Sequence, residues 1–321
     1  MSELIFMEPY MKEVLWGGTR LRDEYACNTA GDHTGEAWLI SATPPGCSTV
    51  KNGTYRGKTL LELWETHREL FGNLPGKDFP LLVKFIDAAD HLSVQVHPND
   101  EEALLLDHAD WGKTECWYVA DCSPDADIVI GHNASSKEDL KNLVENGAWD
   151  RLLRILPLHK GDFFFIPSGT VHAIRKGTFI LEIQQNSDLT YRLYDYDRLQ
   201  NGKKRPLHID KSLQVITCPQ NHVTSSHADD STCQACGEGY LHRHLISCSY
   251  FSVDLWKKDE SATVPTSLTL EQPYPFLLVN VISGNGSVNG IDLHAGDSFV
   301  APAGCGTLMF RGKLEFVTSH V

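Results

Sequence analysis

The sequence predicts a mainly β chain of two related barrel or sandwich units, with a few helices in or around the first. Three observations carry that expectation. Short runs rich in β-branched and aromatic residues are divided by Gly, Pro, Asn and Asp. One turn-strand-turn pattern occurs twice, far apart in the chain. Only three stretches show helical spacing.

The strand-like runs are residues 35–40, 81–86, 163–166, 178–183, 276–282 and 298–300. Residues 59–71 place apolar side chains at helical spacing, open on Thr59 as a cap and end before Gly72. Residues 101–108 form a short helical stretch behind Asn99 and Asp100. Residues 136–156 open with Ser136 three residues ahead of Asp139, a capping-box start, and break near Gly147 before Pro157 closes them.

The repeated pattern is H-x-G-D-x-F-x-x-P-x-G, which starts at His159 and again at His294, 135 residues later. In each copy a Gly-Asp turn enters a strand and a Pro-x-Gly turn leaves it. Two copies at that separation point to a duplicated β unit. The first copy runs on to His172, three residues past Gly169, whereas the second carries Thr307 at the same offset from Gly304. A catalytic domain over residues 1–220 and a degenerate second domain over residues 235–321 follow. The Ser-, Asp-, Cys- and Gly-rich stretch 219–241 connects them.

With 321 residues the chain has room for about two domains. No run approaches the roughly 18 apolar residues of a membrane span, and the first residues do not read as a signal peptide. The formal charge of −14 argues against general nucleic-acid binding, and an anionic substrate would need a local cluster of Lys and Arg. Nine scattered cysteines suit reduced thiols, so a cytoplasmic, soluble protein without membrane or nucleic-acid partners is expected.

Candidate chemistry sits in three segments. Gln95 and His97 are two residues apart in an alternating run and share a face, as do Lys113 and Glu115; His172 follows a Pro-Ser-Gly turn. Gln95, His97, Glu115 and His172 can offer two imidazoles, a carboxylate and an amide oxygen. That set leaves a coordination position for water or substrate, as an open catalytic metal site requires. It suits zinc, and iron, manganese or nickel would also accept it. Taken singly, a His or Glu in a strand is more often surface or satisfied core. The ordered series Q-x-H-P-x-D, K-x-E and P-x-G-x-x-H is far more specific.

These segments resemble the metal motifs of the cupin superfamily, and their wording is similar to type I phosphomannose isomerases in a compact bacterial form. The matching pieces are residues 82–89 through 93–98, then 112–118, 166–173 and 186–195, with weaker matches at 35–38 and 63–64. The resemblance covers nearly the whole chain, weakly after about residue 220. It implies two jelly-roll (cupin) β-barrels and interconversion of mannose 6-phosphate and fructose 6-phosphate. It also implies one divalent metal, expected to be Zn2+, held by Gln95, His97, Glu115 and His172. Arg192 resembles the family's catalytic arginine and Lys113 an active-site lysine; Ser93 and Lys84 match positions lining the pocket.

Such an isomerisation moves a proton between C1 and C2 through an enediol, whose developing oxyanion needs positive charge and whose proton needs a base. A metal or Arg192 meets the first need. Glu182, Lys113 and Asp188 are candidates for the second, and the residues alone leave the choice open. A structural ion pair is an equal alternative for Glu182, and ordinary strand packing is one for Lys84 and Ser93. A cupin oxygenase using the same ligands for iron, or a catalytically silent sugar-binding relative, are the competing functions.

Four other signals carry bland readings. Cys233-x-x-Cys236, with His242 and His244 close behind, fits either a small metal knuckle, a redox pair or two surface thiols. Gly284, Gly286 and Gly290 suit a hairpin turn rather than a phosphate loop. The charges at Asp195, Asp197 and Arg198 read as solvated turn residues, and Cys116 as core.

Overall fold

The computed structural model describes every residue except 1–2, 26–29, 201, 221–224, 227–232, 238 and 259–266. The chain is mainly β and forms two jelly-roll units. In the first, a seven-stranded sheet (in order Ser225–Ser226, Phe163–Ile166, Glu115–Cys122, Thr178–Gln185, Leu81–Ala88, Tyr10–Gly18, Thr34–Ile40) faces a five-stranded sheet. That second sheet runs Tyr191–Tyr194, Val94–Val96, His172–Ile174, Asp127–His132, Leu153–Pro157. Ile86, Trp117 and Ile180 from one sheet meet Ile128, Ile130 and Ile174 from the other.

The other face of the seven-stranded sheet is also covered. Phe85, Cys116, Tyr118, Leu181 and Ile183 pack on Val253, Leu255, Phe276, Leu278 and Val317 of the second unit. Burial on both faces explains why Leu81–Ala88 and Thr178–Gln185 are buried at every position and read as nearly continuous apolar runs. The second unit is built on a ten-stranded sheet with Phe276–Val288 and Thr307–His320 at its centre.

The repeated turn is the same object twice. His159 N and His294 N each donate to the Asp three residues on, Asp162 and Asp297, at 2.9 and 2.8 Å. Gly161 N and Gly296 N donate to Val119 O and Val281 O at 2.8 and 3.0 Å. Both glycines have positive φ, 86° and 92°, which other residues adopt only under strain.

The expected strands are present, most of them a few residues longer than the sequence suggested. Thr59 and Asn99 cap Leu60–Thr66 and Asp100–Asp107 with complete capping boxes. Ser136 caps Lys137–Glu145, but Asp139 turns to Ser135 instead of closing the box. The expected helical span 136–156 stops early: Trp149–Leu152 is its last piece, and Leu153–Pro157 is a strand. Its alternating burial and pairing with Asp127–His132 override helical spacing. The short helices Arg20–Asp23 and Ile209–Val215 have no signal among the expected elements. Ile5–Glu8 crosses out of its own half and pairs with Ser298–Pro302 of the second unit. Asn289 and Gly290, both at positive φ, make the hairpin turn, while Gly284 and Gly286 lie within a strand.

Candidate metal centre and active-site cavity

His172 and Gln95 are direct register partners in the five-stranded sheet, and Gln95 in turn pairs with Arg192. Register partners point to the same face, so all three aim between the sheets. Glu115 opens the facing strand Glu115–Cys122. The ligand atoms of His97, Glu115 and His172 come within 4.8 Å of one another, and this is the one such group among the described residues. His172 Nε2 lies 3.4 Å from Glu115 Oε1, and His97 Nε2 lies 3.6 Å from Glu115 Oε2.

Both imidazoles are oriented from behind. His97 Nδ1 lies 2.8 Å from Leu189 O and His172 Nδ1 lies 2.9 Å from Thr170 O, so each Nδ1–H donates to a carbonyl and each Nε2 keeps its lone pair. Burial, with the ammonium of Lys113 adding to it, holds His97 well below the usual imidazole range; burial pulls His172 down to about 4. Neutral imidazoles with outward lone pairs are the form that binds a cation. His172 Nε2 and Glu115 Oε1 are buried without a hydrogen-bond partner. Two orphaned acceptors of this kind fit a divalent metal, with His97, Glu115 and His172 as donors. Gln95 lies on the cavity wall next to them.

Next to this group, reached through Gln95 and Lys113 on its wall, opens a cavity of about 540 Å³. Every other candidate lines it: Lys84, Ser93, Gln95, Lys113, Glu182, Asp188 and Arg192. Lys113 Nζ reaches Glu115 at 2.7 Å and Glu182 at 3.6 Å. Lys84 Nζ lies between Glu36 at 3.7 Å, Glu182 at 3.5 Å and Asp188 at 3.5 Å. Burial works against both ammonium charges, yet the surrounding carboxylates win and raise both pKa values. Trp117 Nε1 donates to Glu182 Oε2 at 2.9 Å and its ring stands edge-on to His172, 5.3 Å away.

Five residues of the site escaped sequence reading. Lys12 bridges Glu36 and Asp188 at the rim, and Trp38 donates to Glu36 at 2.7 Å. The alternation of Thr34–Ile40 puts Glu36 and Trp38 on one face and was the available signal. Trp117 sits inside the matching segment 112–118 without an assigned role, and Arg205 lies outside every motif. Asp195, expected in solvent, is buried and held by Arg198 and Arg205 at 2.7 and 2.5 Å. Cys116 is core, as expected.

The Cys233-x-x-Cys236 stretch gathers no ligand set among the described residues. Cys236 is a free thiol near Tyr240 O, and His242 and His244 both turn to Asp254 Oδ1, at 2.7 and 3.0 Å. No helix among the described residues is long and apolar enough to cross a membrane.

Residues 4–130 match the phosphomannose isomerase type I catalytic domain, and residues 242–321 match the mannose-6-phosphate isomerase cupin domain. The chain is 47% identical to mannose-6-phosphate isomerase ManA of Bacillus subtilis, over 100% of this chain and 99% of the relative. It is 43% identical to mannose-6-phosphate isomerase of Streptococcus mutans, with 100% and 99% covered. The crystal structure of a mannose 6-phosphate isomerase from Bacillus subtilis superimposes with a TM-score of 0.91 at 41% identity, covering 100% of both chains.

Proposed function

The chain belongs to the type I phosphomannose isomerase family, and we infer that it interconverts mannose 6-phosphate and fructose 6-phosphate with the residues that converge on this cavity. It is an aldose–ketose isomerase. The observation that carries the reading is the buried His97, Glu115, His172 group beside a cavity lined by every other predicted residue.

We take Gln95 as the fourth ligand and Zn2+ as the resident ion, since imidazole and carboxylate donors with one amide suit it. Such an ion supplies a Lewis acid that polarises an oxygen on the reacting carbons. The remaining work falls to side chains. Glu182 is the base we favour. Trp117 fixes one carboxylate oxygen, while the buried Oε1 has no hydrogen-bond donor and faces the lysines at ion-pair distance. It takes the proton from C2 of the open-chain aldose as the C1 carbonyl oxygen gains a proton, giving the enediol, and returns it to C1 as the C2 hydroxyl gives up its proton to become the ketone. Lys113 is a poor base because Glu115 and Glu182 keep its proton on; its charge, with that of Arg192, steadies the developing oxyanion. Asp188 is committed to Lys84 and Lys12, which, against the effect of burial, hold its carboxyl below the usual range. Lys84 and Ser93 are left to contact the sugar hydroxyls.

An oxygenase would give the paired lysines and Arg192 nothing to do. We place the reaction in the cytoplasm, consistent with free thiols at Cys47, Cys116, Cys122, Cys218, Cys236, Cys248 and Cys305. A coupled assay for fructose 6-phosphate, run on protein of measured metal content before and after chelation, tests the whole reading. Activity that tracks zinc content is expected; full turnover in metal-free protein would contradict it.

A further inference from the structure

The charges around the cavity are segregated. On the side of the seven-stranded sheet every lysine faces carboxylates: Lys113 faces Glu115 and Glu182, Lys84 faces Glu36, Glu182 and Asp188, and Lys12 faces Glu36 and Asp188. Three ammonium groups there meet four carboxylates, so that wall has no net positive charge to offer a dianion. The edge of the five-stranded sheet is different. Arg192, on the edge strand Tyr191–Tyr194, has no carboxylate at ion-pair distance among the described residues. Its Nη1 donates to Pro206 O at 3.0 Å, and its buried Nε has no hydrogen-bond partner. Arg205 and Arg198 share the single buried carboxylate of Asp195. Arg205 grips it through Nε and Nη2, at 2.8 and 2.5 Å, so one side of its guanidinium stays uncommitted while the side chain lines the cavity.

We propose that Arg205, braced by Asp195, is the anchor for the substrate's 6-phosphate group, with Arg192 lying between it and the His97, Glu115, His172 centre. Guanidinium forks match phosphate oxygens, and a buried carboxylate behind one fixes its orientation before the anion arrives. Burial and the charge of Arg205 both push the pKa of Arg192 down, a repulsion that a bound dianion relieves. The spacing fits an extended sugar. His172, Gln95 and Arg192 are register partners on successive strands, which sets Arg192 two strand spacings, about 10 Å, from the His172 backbone. In a chain of formal charge −14, this edge is the local positive pole that an anionic substrate needs.

The inference rests on the isomerase reading, and one set of measurements separates the two. Arg205→Met and Arg205→Lys are compared with the unaltered chain for KM and kcat on mannose 6-phosphate, for competitive inhibition by inorganic phosphate, and for thermal melting. In Arg205→Met, KM and the phosphate inhibition constant rise together by about 10- to 100-fold, as loss of a charge-assisted hydrogen bond implies, while kcat holds. Arg205→Lys, which keeps a cation beside Asp195, shows a smaller rise in both and carries the test if the Met variant does not fold. A folded Arg205 variant with unaltered KM and phosphate inhibition overturns the anchor alone. An unaltered chain that cannot isomerise mannose 6-phosphate overturns the isomerase reading beneath it.

Discussion

The two jelly-roll units share a turn down to its hydrogen bonds and differ in what fills the space behind it. Val119 and Val281 occupy equivalent places, each donating to the Asp carbonyl of the repeated turn. Counting back from them, Glu115 corresponds to Leu277 and Trp117 to Val279, while His172 corresponds to Thr307. Leu277 and Val279 belong to an interior packed with Phe299, Leu308, Phe310, Leu314 and Phe316. The first interior is apolar at one end only and elsewhere opens into the charged cavity. The backbone device was retained in both, so the turn belongs to the scaffold; the proposed chemistry lies in three or four side chains that one unit has and the other lacks.

The largest effect that would break this contrast comes from the metal centre. His97→Ala should abolish isomerisation and lower bound metal, whereas Arg192→Ala should keep metal and lose about 100- to 1000-fold in kcat, read by parallel metal analysis and coupled assay. Metal retained at wild-type level in His97→Ala would count against the centre. Glu182→Gln keeps size and the contact with Trp117 but removes the base; kcat should fall about 100- to 10,000-fold with metal content unaltered, and solvent-deuterium uptake into substrate should fall in step.

The second interior should respond in stability instead. Phe316 is fully buried there, and Phe316→Ala should cost about 3–5 kcal/mol in urea unfolding while the metal content of the folded fraction stays the same. The smallest expected effect is the sharpest comparison. Thr307→His restores the imidazole missing from the second copy, but it has Leu277 in place of a carboxylate, so metal content should remain at one ion per chain. A second tightly bound ion would show that the second unit had lost only one ligand.

Local sequence made much of this legible. The Gly-Asp and Pro-x-Gly turns, the caps at Thr59 and Asn99, and the alternation that pairs Gln95 with His97 all depend on neighbours a few residues apart. The residues proposed as metal ligands and Arg192 could be singled out because they sit inside such motifs. Lys12, Glu36 and Trp117 could not, because each acts through a partner from another strand, and Arg205 could not, because its partner Asp195 belongs to a turn read as solvated. Asp195 looked solvated for a different reason: its partners Arg198 and Arg205 are near in sequence, but nothing local says that the turn will bury the carboxylate under them.

By itself, then, the sequence determined the class of fold, the duplication and the ligand types, all of which follow from short-range backbone geometry and side-chain chemistry. Tertiary structure alone decided which carboxylates neutralise which lysines and which arginine is left uncommitted. It also placed Ile5–Glu8 in the second unit's sheet and made Leu153–Pro157 a strand. Those outcomes depend on Coulomb contacts and hydrogen bonds between segments far apart in the chain, where distance exists only once the sheets have stacked.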